Sequence, residues 1–258
     1  MPATALSHFR QDVARALALV AHADPLPAGT PAEQLLRSDL LRSGWMFAVG
    51  ALDAYFCDAY TDLVAATIIS KSRHPAMTLP EFFGNIKFPI SAILESYVKN
   101  LNWKWCMAAR KMMERETVLS LETIQSLFNK FFRPQQKLFG DVLEKWILHP
   151  ESTKRVFKIS PSTYNALTPA KKNTARQTAN REMQKRFAII FQRRHDCIHN
   201  CDRPRVAPQR LVLAETVRNV IEDVEFLITR CDEHINSEFR QFLLDNHCPA
   251  ALVGQAGY

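Results

Sequence analysis

The sequence predicts an all-α fold, and three observations predict it. Among 258 residues only seven are glycine, too few for the frequent tight turns of sandwiches, barrels and doubly wound sheets. Strictly alternating apolar and polar stretches are almost absent, whereas apolar residues recur at three- and four-residue spacing. Two Thr-Pro pairs, Thr30-Pro31 and Thr168-Pro169, place an N-cap residue before a proline at the first helical position. Hydrophobic residues make up 47% and charged residues 23% of the chain, an ordinary globular balance. A chain of this length buries a sizeable core in one domain. The reading is therefore a single domain over residues 1–258, with a helical insertion over residues 71–150.

Taken in order, a first helix is expected from about Ala3 to Ala21, with Leu6, Phe9, Val13, Leu17 and Val20 on one stripe. The Pro/Gly-bearing segment 24–29 ends it. Thr30-Pro31, with Glu33 in the first turn, opens a long helix reaching Ile69. Its second half carries Trp45, Phe47, Val49, Leu52, Tyr55, Phe56, Tyr60 and Leu63 over much of its circumference, as a central helix should. A polar connector follows over residues 71–80. Shorter helical patterns then run to Pro150, punctuated by Phe88-Pro89, Ser120 and Arg133-Pro134. The aromatics there (Trp103, Trp105, Phe128, Phe131, Phe132 and Trp146) read as core residues and not as base-stacking platforms. Residues 151–167 read as loop. Thr168-Pro169 opens a helix that passes through Phe187, Ile189, Ile190 and Phe191 into a His-rich stretch. A turn over residues 201–208 precedes a last long helix from about Gln209 to Asp245.

No run of eighteen apolar residues is uninterrupted, and Asp53, Asp58 and Asp62 break the most apolar stretch, so no membrane span is expected. The first seventeen residues lack the basic-then-apolar layout of a signal peptide. Cys57, Cys106, Cys197, Cys201, Cys231 and Cys248 are scattered, which suits reduced thiols in a cytoplasmic protein. The formal charge of +7 is concentrated. Residues 151–210 hold fourteen Lys or Arg against four Asp or Glu, the footprint of a phosphate-bearing partner.

The densest reactive cluster lies in that basic stretch: Gln192-Arg193-Arg194-His195-Asp196-Cys197-Ile198-His199-Asn200. RNA can be cut by its own 2′-OH if one group takes the 2′ proton, another protonates the leaving 5′ oxygen, and positive charge meets the phosphorane-like transition state. Histidine titrates near neutrality and serves as acid or base. Arginine offers a planar, permanently charged fork to phosphate oxygens. Arg194 and His199 are about 140° apart round an ideal helix, so they converge only if the helix ends near His199 or the arginine wraps round.

The string Arg194-His195-Asp196-Cys197-Ile198-His199 resembles the signature of the HEPN superfamily, an arginine, a polar residue after it and a histidine a few positions on. Upstream, residues 45–56 (WMFAVGALDAYF) resemble the central helix of the RiboL-PSP-HEPN subgroup. The resemblance covers about residues 30–70 and 170–245. It implies a HEPN-like helical bundle that forms a homodimer with two motifs facing each other. It also implies metal-independent endoribonuclease action without a cofactor, in toxin–antitoxin or anti-phage systems. Single-stranded RNA or a tRNA loop is the expected substrate, since unpaired bases are the ones a protein can read. An antitoxin or a sensor protein would be a further partner. By that likeness Arg194 holds the phosphate, His199 is the acid or base and His195 orients the site. Asp53 and Asn200 would support it, and Arg193, Lys185 and Arg186 would bind RNA.

Other readings of the cluster stay open. His195-Asp196-x-x-His199 imitates the H-E-x-x-H of zinc hydrolases, with Glu222 or Glu225 as a third ligand. Cys197, His199 and Cys201 with Cys231 or His234 could form a structural zinc knot, although the spacing is unusual. A third alternative is a catalytically silent RNA- or protein-binding dimer, whose Arg and His simply complement a helix C-terminus.

Overall fold

In the computed structural model, which describes residues 2–89, 91, 101–114, 116–200, 202 and 212–255, every regular element is a helix. The side chains of residues 2, 3, 101–103, 200, 254 and 255 are not described. The helices are α1 (Pro2–Ala23), α2 (Pro31–Arg73), α3 (Glu81–Gly84), α4 (Leu101–Met113), α5 (Leu121–Phe128), α6 (Leu143–Ile147), α7 (Lys154–Phe157), α8 (Pro161–Asn165), α9 (Pro169–Asn200), α10 (Ala214–Asp245) and α11 (Ala250–Gln255). None is long and apolar enough to cross a membrane. The all-α expectation holds, because helical periodicity dominates every long segment.

The cap read from sequence at Thr30 forms. Thr30 and Glu33 make a reciprocal pair: Glu33 N–H donates to Thr30 Oγ1 at 3.3 Å, and Thr30 N–H donates to Glu33 Oε2 at 2.9 Å. Two of the orphan donors at the start of α2 are thereby satisfied. Ser120 caps α5 by accepting from Thr123 N–H.

Four details differ from expectation. On α1 the buried stripe passes through Ala5, Phe9, Val13, Ala16 and Val20, while Leu17 is 41% exposed; a close-packed neighbour favours the smaller Ala16. Helix α2 continues to Arg73, past Ile69 and into the expected polar connector. Residues 151–167 are not loop but hold α7 and α8, each too short for a periodic signal. Helix α10 begins at Ala214, after non-helical Val212 and Leu213. Gln209 and the turn over residues 201–208, except Asp202, lie outside the described residues.

The chain divides into two compact units. The first comprises Met1–Leu6, Asp53–Leu138 and Cys231–Tyr258. Its core is aromatic: Phe128 meets Phe56 and Tyr60 edge-on at 5.6 and 5.8 Å, and Phe131 meets Tyr60, Phe239 and Phe242. Such T-shaped contacts set the positive ring edge against the negative face. Two buried carboxylates here are paired, as burial demands. Tyr55 donates to Asp232 Oδ1 at 2.8 Å, and the Arg133 fork grips the buried Glu238 through two bonds. Phe128, Phe131 and Phe132 are core residues as expected, Trp105 is half-buried, and the Trp103 side chain lies outside the described residues.

The second unit comprises Ser7–Leu52 and Phe139–Arg230. At Gly44 of α2 three helices come together. A Cβ there would lie 3.1 Å from Val20 Cγ2, 3.3 Å from the Ala16 carbonyl and 3.5 Å from Val217 Cγ1. Glycine is needed for proximity, since the backbone conformation is ordinary. Trp146 is buried against Phe139. Phe47 is 38% exposed instead of fully packed, with the Arg15 guanidinium 4.8 Å above its ring. Replacing Gly44 by Leu should overpack this meeting point and lower stability by about 1–3 kcal/mol. Urea unfolding would show it, and an unchanged midpoint would mean that the three helices can separate freely.

Candidate functional site

Helix α9 carries the reactive cluster, and its phase is set by two buried acids. The first is Asp202, 2% exposed, which sits just beyond the helix with a left-handed φ of 53°. Its N–H donates back to the Asp196 carbonyl at 3.0 Å. Its Oδ2 accepts from Arg42 Nε of α2 at 3.0 Å and from Arg193 Nη2 at 2.6 Å. A carboxylate this deeply buried is tolerable only with such cationic, hydrogen-bonded partners. The Arg193 guanidinium also lies 5.4 Å from the centre of the Trp45 ring. The Trp45 indole N–H donates to the Ile190 carbonyl at 3.1 Å, one turn earlier on α9.

The second acid is Asp223 of α10, fully buried. It accepts from Arg155 Nε at 3.2 Å and from Arg186 Nε at 2.8 Å. Burial pushes its carboxyl above the ordinary aspartate range, against the opposite pull of both guanidiniums. Between them, Asp202 and Asp223 lock the rotation of α9 at two points two turns apart.

With the phase fixed, the neighbouring side chains have definite bearings. Met183, Phe187, Ile190, Phe191 and Cys197 form the buried face. Arg194 emerges within about 40° of Phe187 and Ile190 on an ideal helix, and is half-buried. His195 and His199, one turn apart and about 100° and 140° round the helix from Arg194, are exposed, with ring centroids 4.3 Å apart. The helix remains regular through Asn200. Arg194 and His199 of one chain therefore keep their separation of about 140°, and the early helix end that would have let them converge does not occur.

The cations of this helix divide sharply. Lys185 pairs with Glu182 at 2.8 Å, Arg186 with Asp223 and Arg193 with Asp202. Arg194 makes no hydrogen bond or ion pair among the described residues. Two residues expected to bind RNA, Arg186 and Arg193, thus have their forks engaged by buried carboxylates of the fold. Lys185 stands exposed at the surface. Asp53 belongs to the other compact unit, where its Oδ1 accepts from Val118 N–H at 2.6 Å. With that carboxylate beside it, burial raises the neighbouring Cys57 thiol to about 12. The Asn200 side chain lies outside the described residues.

Among the described residues no three His, Cys, Asp or Glu side chains come together in a way that could hold an ion. Glu222 is bound to Arg155, Asp196 Oδ1 accepts from Gln192 Nε2 at 2.8 Å, and His234 Nε2 lies 2.7 Å from the Gln136 carbonyl. Burial and the nearby Asp202 raise the Cys197 thiol, which keeps it protonated and a poor ligand or nucleophile. Cys57, Cys106, Cys197, Cys231 and Cys248 are free thiols, and Cys201 lies outside the described residues.

Arg42, Trp45, Asp202 and Asp223 organise the site without being singled out as site residues by the sequence. Trp45 was visible only as part of an apolar stretch, and a lone Asp in a turn carries no signal of burial. Comparison of the chain with protein-family models, curated proteins and solved structures gives no match.

Asp202→Ala should lower stability by about 3–5 kcal/mol, because the deeply buried Arg42 loses its principal counter-charge. Arg194→Ala, removing a cation with no partner among the described residues, should change it by less than about 1 kcal/mol. Equal losses in urea unfolding would show that Arg194 holds the fold after all.

Proposed function

We propose that this protein is a metal-independent endoribonuclease in which Arg194 and His199 do the chemistry at a homodimer interface. The observation that carries the reading is the contrast at the end of α9. Every neighbouring cation from Lys185 to Arg193 is paired with a carboxylate, whereas half-buried Arg194 has none among the described residues, and two exposed histidines stand on another bearing of the same turns. A guanidinium with no carboxylate among the described residues, in a partly desolvated setting, is primed for an anion, and its fork fits phosphate oxygens. The likeness of residues 194–199 to the HEPN signature points the same way, towards a role in toxin–antitoxin or anti-phage systems.

In this mechanism a base removes the 2′ proton, the 2′ oxygen bonds to phosphorus, and the 5′ oxygen departs with a proton from an acid on the far side. The products are a 2′,3′-cyclic phosphate and a 5′-OH. One copy of the motif is poorly equipped for this. His195 and His199 share one bearing and Arg194 has another, so a single chain cannot surround a phosphate with base, acid and fork. A two-fold axis supplies the missing groups, since an isologous interface doubles every residue near it. His199 of one chain and its symmetry mate would then act as base and acid, with two guanidiniums stabilising the charge that develops on phosphorus.

Incubated with total RNA in chelator, the protein should leave cyclic phosphate and 5′-OH ends; 5′-phosphate ends would point to an activated water instead. RNA bound but never cut would make the chain a silent binding module. Replacing His199 by Ala or Arg194 by Lys should each lower cleavage at least about 100-fold with the fold unchanged, since a lysine cannot reproduce the bidentate fork. Adding H199A chains to wild type should depress activity by more than dilution, through mixed dimers. Strictly proportional dilution would mean that each chain cuts alone.

A further inference from the structure

The second compact unit also holds a groove that the nuclease reading does not use. It is an open cleft of about 460 Å³ between α7, α8 and the first half of α9. Its floor is apolar, with Phe157, Ile159, Leu167 and Ala175, and Lys158 and Lys171 stand at its rim among three threonines. The left-handed turn at Lys158, with φ of 56°, ends α7 and swings the chain round the cleft.

Charge is the second observation. From Ser152 to Arg181, the segment that builds the groove, there are seven Lys or Arg and no Asp or Glu; Arg155 is engaged by Asp223 and Glu222, and Glu182 of the next turn lies within electrostatic reach of Lys158. Helix α9 itself opens without an acidic residue in its first turn, where Lys171 and Lys172 instead meet the positive end of the helix dipole. Like charges are stacked there at some cost to the helix, and an incoming carboxylate relieves it.

We infer that this groove docks an acidic polypeptide segment of a partner protein, with one or two large apolar side chains in the cleft and its carboxylates on Lys158, Lys171 and the start of α9. Nucleic acid fits the same charge but not the same surface. Binding of single strands relies on exposed aromatic faces for the bases to stack on, and the aromatics here, Phe157 and Tyr164, are 1% and 0% exposed. No arginine lines the cleft to fork a phosphate, and an apolar floor rewards an aliphatic or aromatic anchor. This inference stands whether or not the chain cuts RNA.

The test is to pan a phage-displayed library of random twelve-residue peptides on the intact protein, and to measure each enriched sequence by fluorescence anisotropy. Enriched peptides should be acidic and carry a large apolar residue. Their affinity should fall about tenfold or more against the double variant Lys158→Glu/Lys171→Glu, which alters only exposed side chains, and against Ala175→Trp, which fills the cleft. Raised salt should weaken binding. Basic or featureless winners, or peptides bound equally by the charge-reversed protein, would overturn the proposal. So would the absence of any enrichment over the charge-reversed protein. A ten-nucleotide oligouridylate that competes for the groove and is weakened by Ala175→Trp would assign the cleft to RNA and overturn it as well.

Discussion

The buried carboxylate of Asp202 is the constraint from which the geometry of the candidate site follows. A charge 98% withdrawn from water must be neutralised where it stands. Asp202 does so by taking Arg42 from α2 and Arg193 from the helix it follows. Arg193 is thereby fixed in direction, and a regular helix leaves its neighbours no choice. Arg194 turns onto the half-buried face, and His195 and His199 turn outward together. A substitution at Asp202 would leave every motif residue in place in the sequence and still release the phase that gives the motif meaning.

The same logic changes what the basic charge of the chain signifies. Residues 151–210 are strongly cationic by count, but several of those charges are internal counter-ions. Arg155 and Arg186 neutralise Asp223, Arg193 neutralises Asp202, and Lys185 sits beside Glu182. Among the described residues the cations left without a carboxylate are fewer, and include Arg194 near the end of α9 and the lysines round the cleft at its start. A long helix thus separates two chemically different surfaces. One offers a guanidinium and two imidazoles, groups suited to phosphate and proton transfer. The other offers ammonium groups over an apolar floor, suited to carboxylates and an apolar anchor.

Much of the fold was legible in the sequence because it rests on local rules. Helical periodicity, the Thr30–Glu33 capping pair and the Thr168-Pro169 start act within a few residues of one another, so α1, α2 and α9 follow from composition and spacing. The short helices α7 and α8 were missed because four or five residues carry no period. Ala16 displaced Leu17 from the buried stripe because the choice between adjacent apolar residues is made by the partner helix.

For the site, the sequence by itself determined the chemistry on offer: a guanidinium, two histidines one turn apart, and a helix rich in cations. The angles between them depended on where α9 ends, and the structure continues it through Asn200. Only the tertiary structure decided which charges are spent. Arg186, Arg193 and Arg194 are the same residue type within nine positions, and nothing local tells them apart. What separates them is whether a buried aspartate arrives from a distant part of the chain: Asp223 reaches Arg186, Asp202 reaches Arg193, and no carboxylate among the described residues reaches Arg194. Ion pairing between segments depends on distance in space and on desolvation, and neither is written in the spacing of a linear motif.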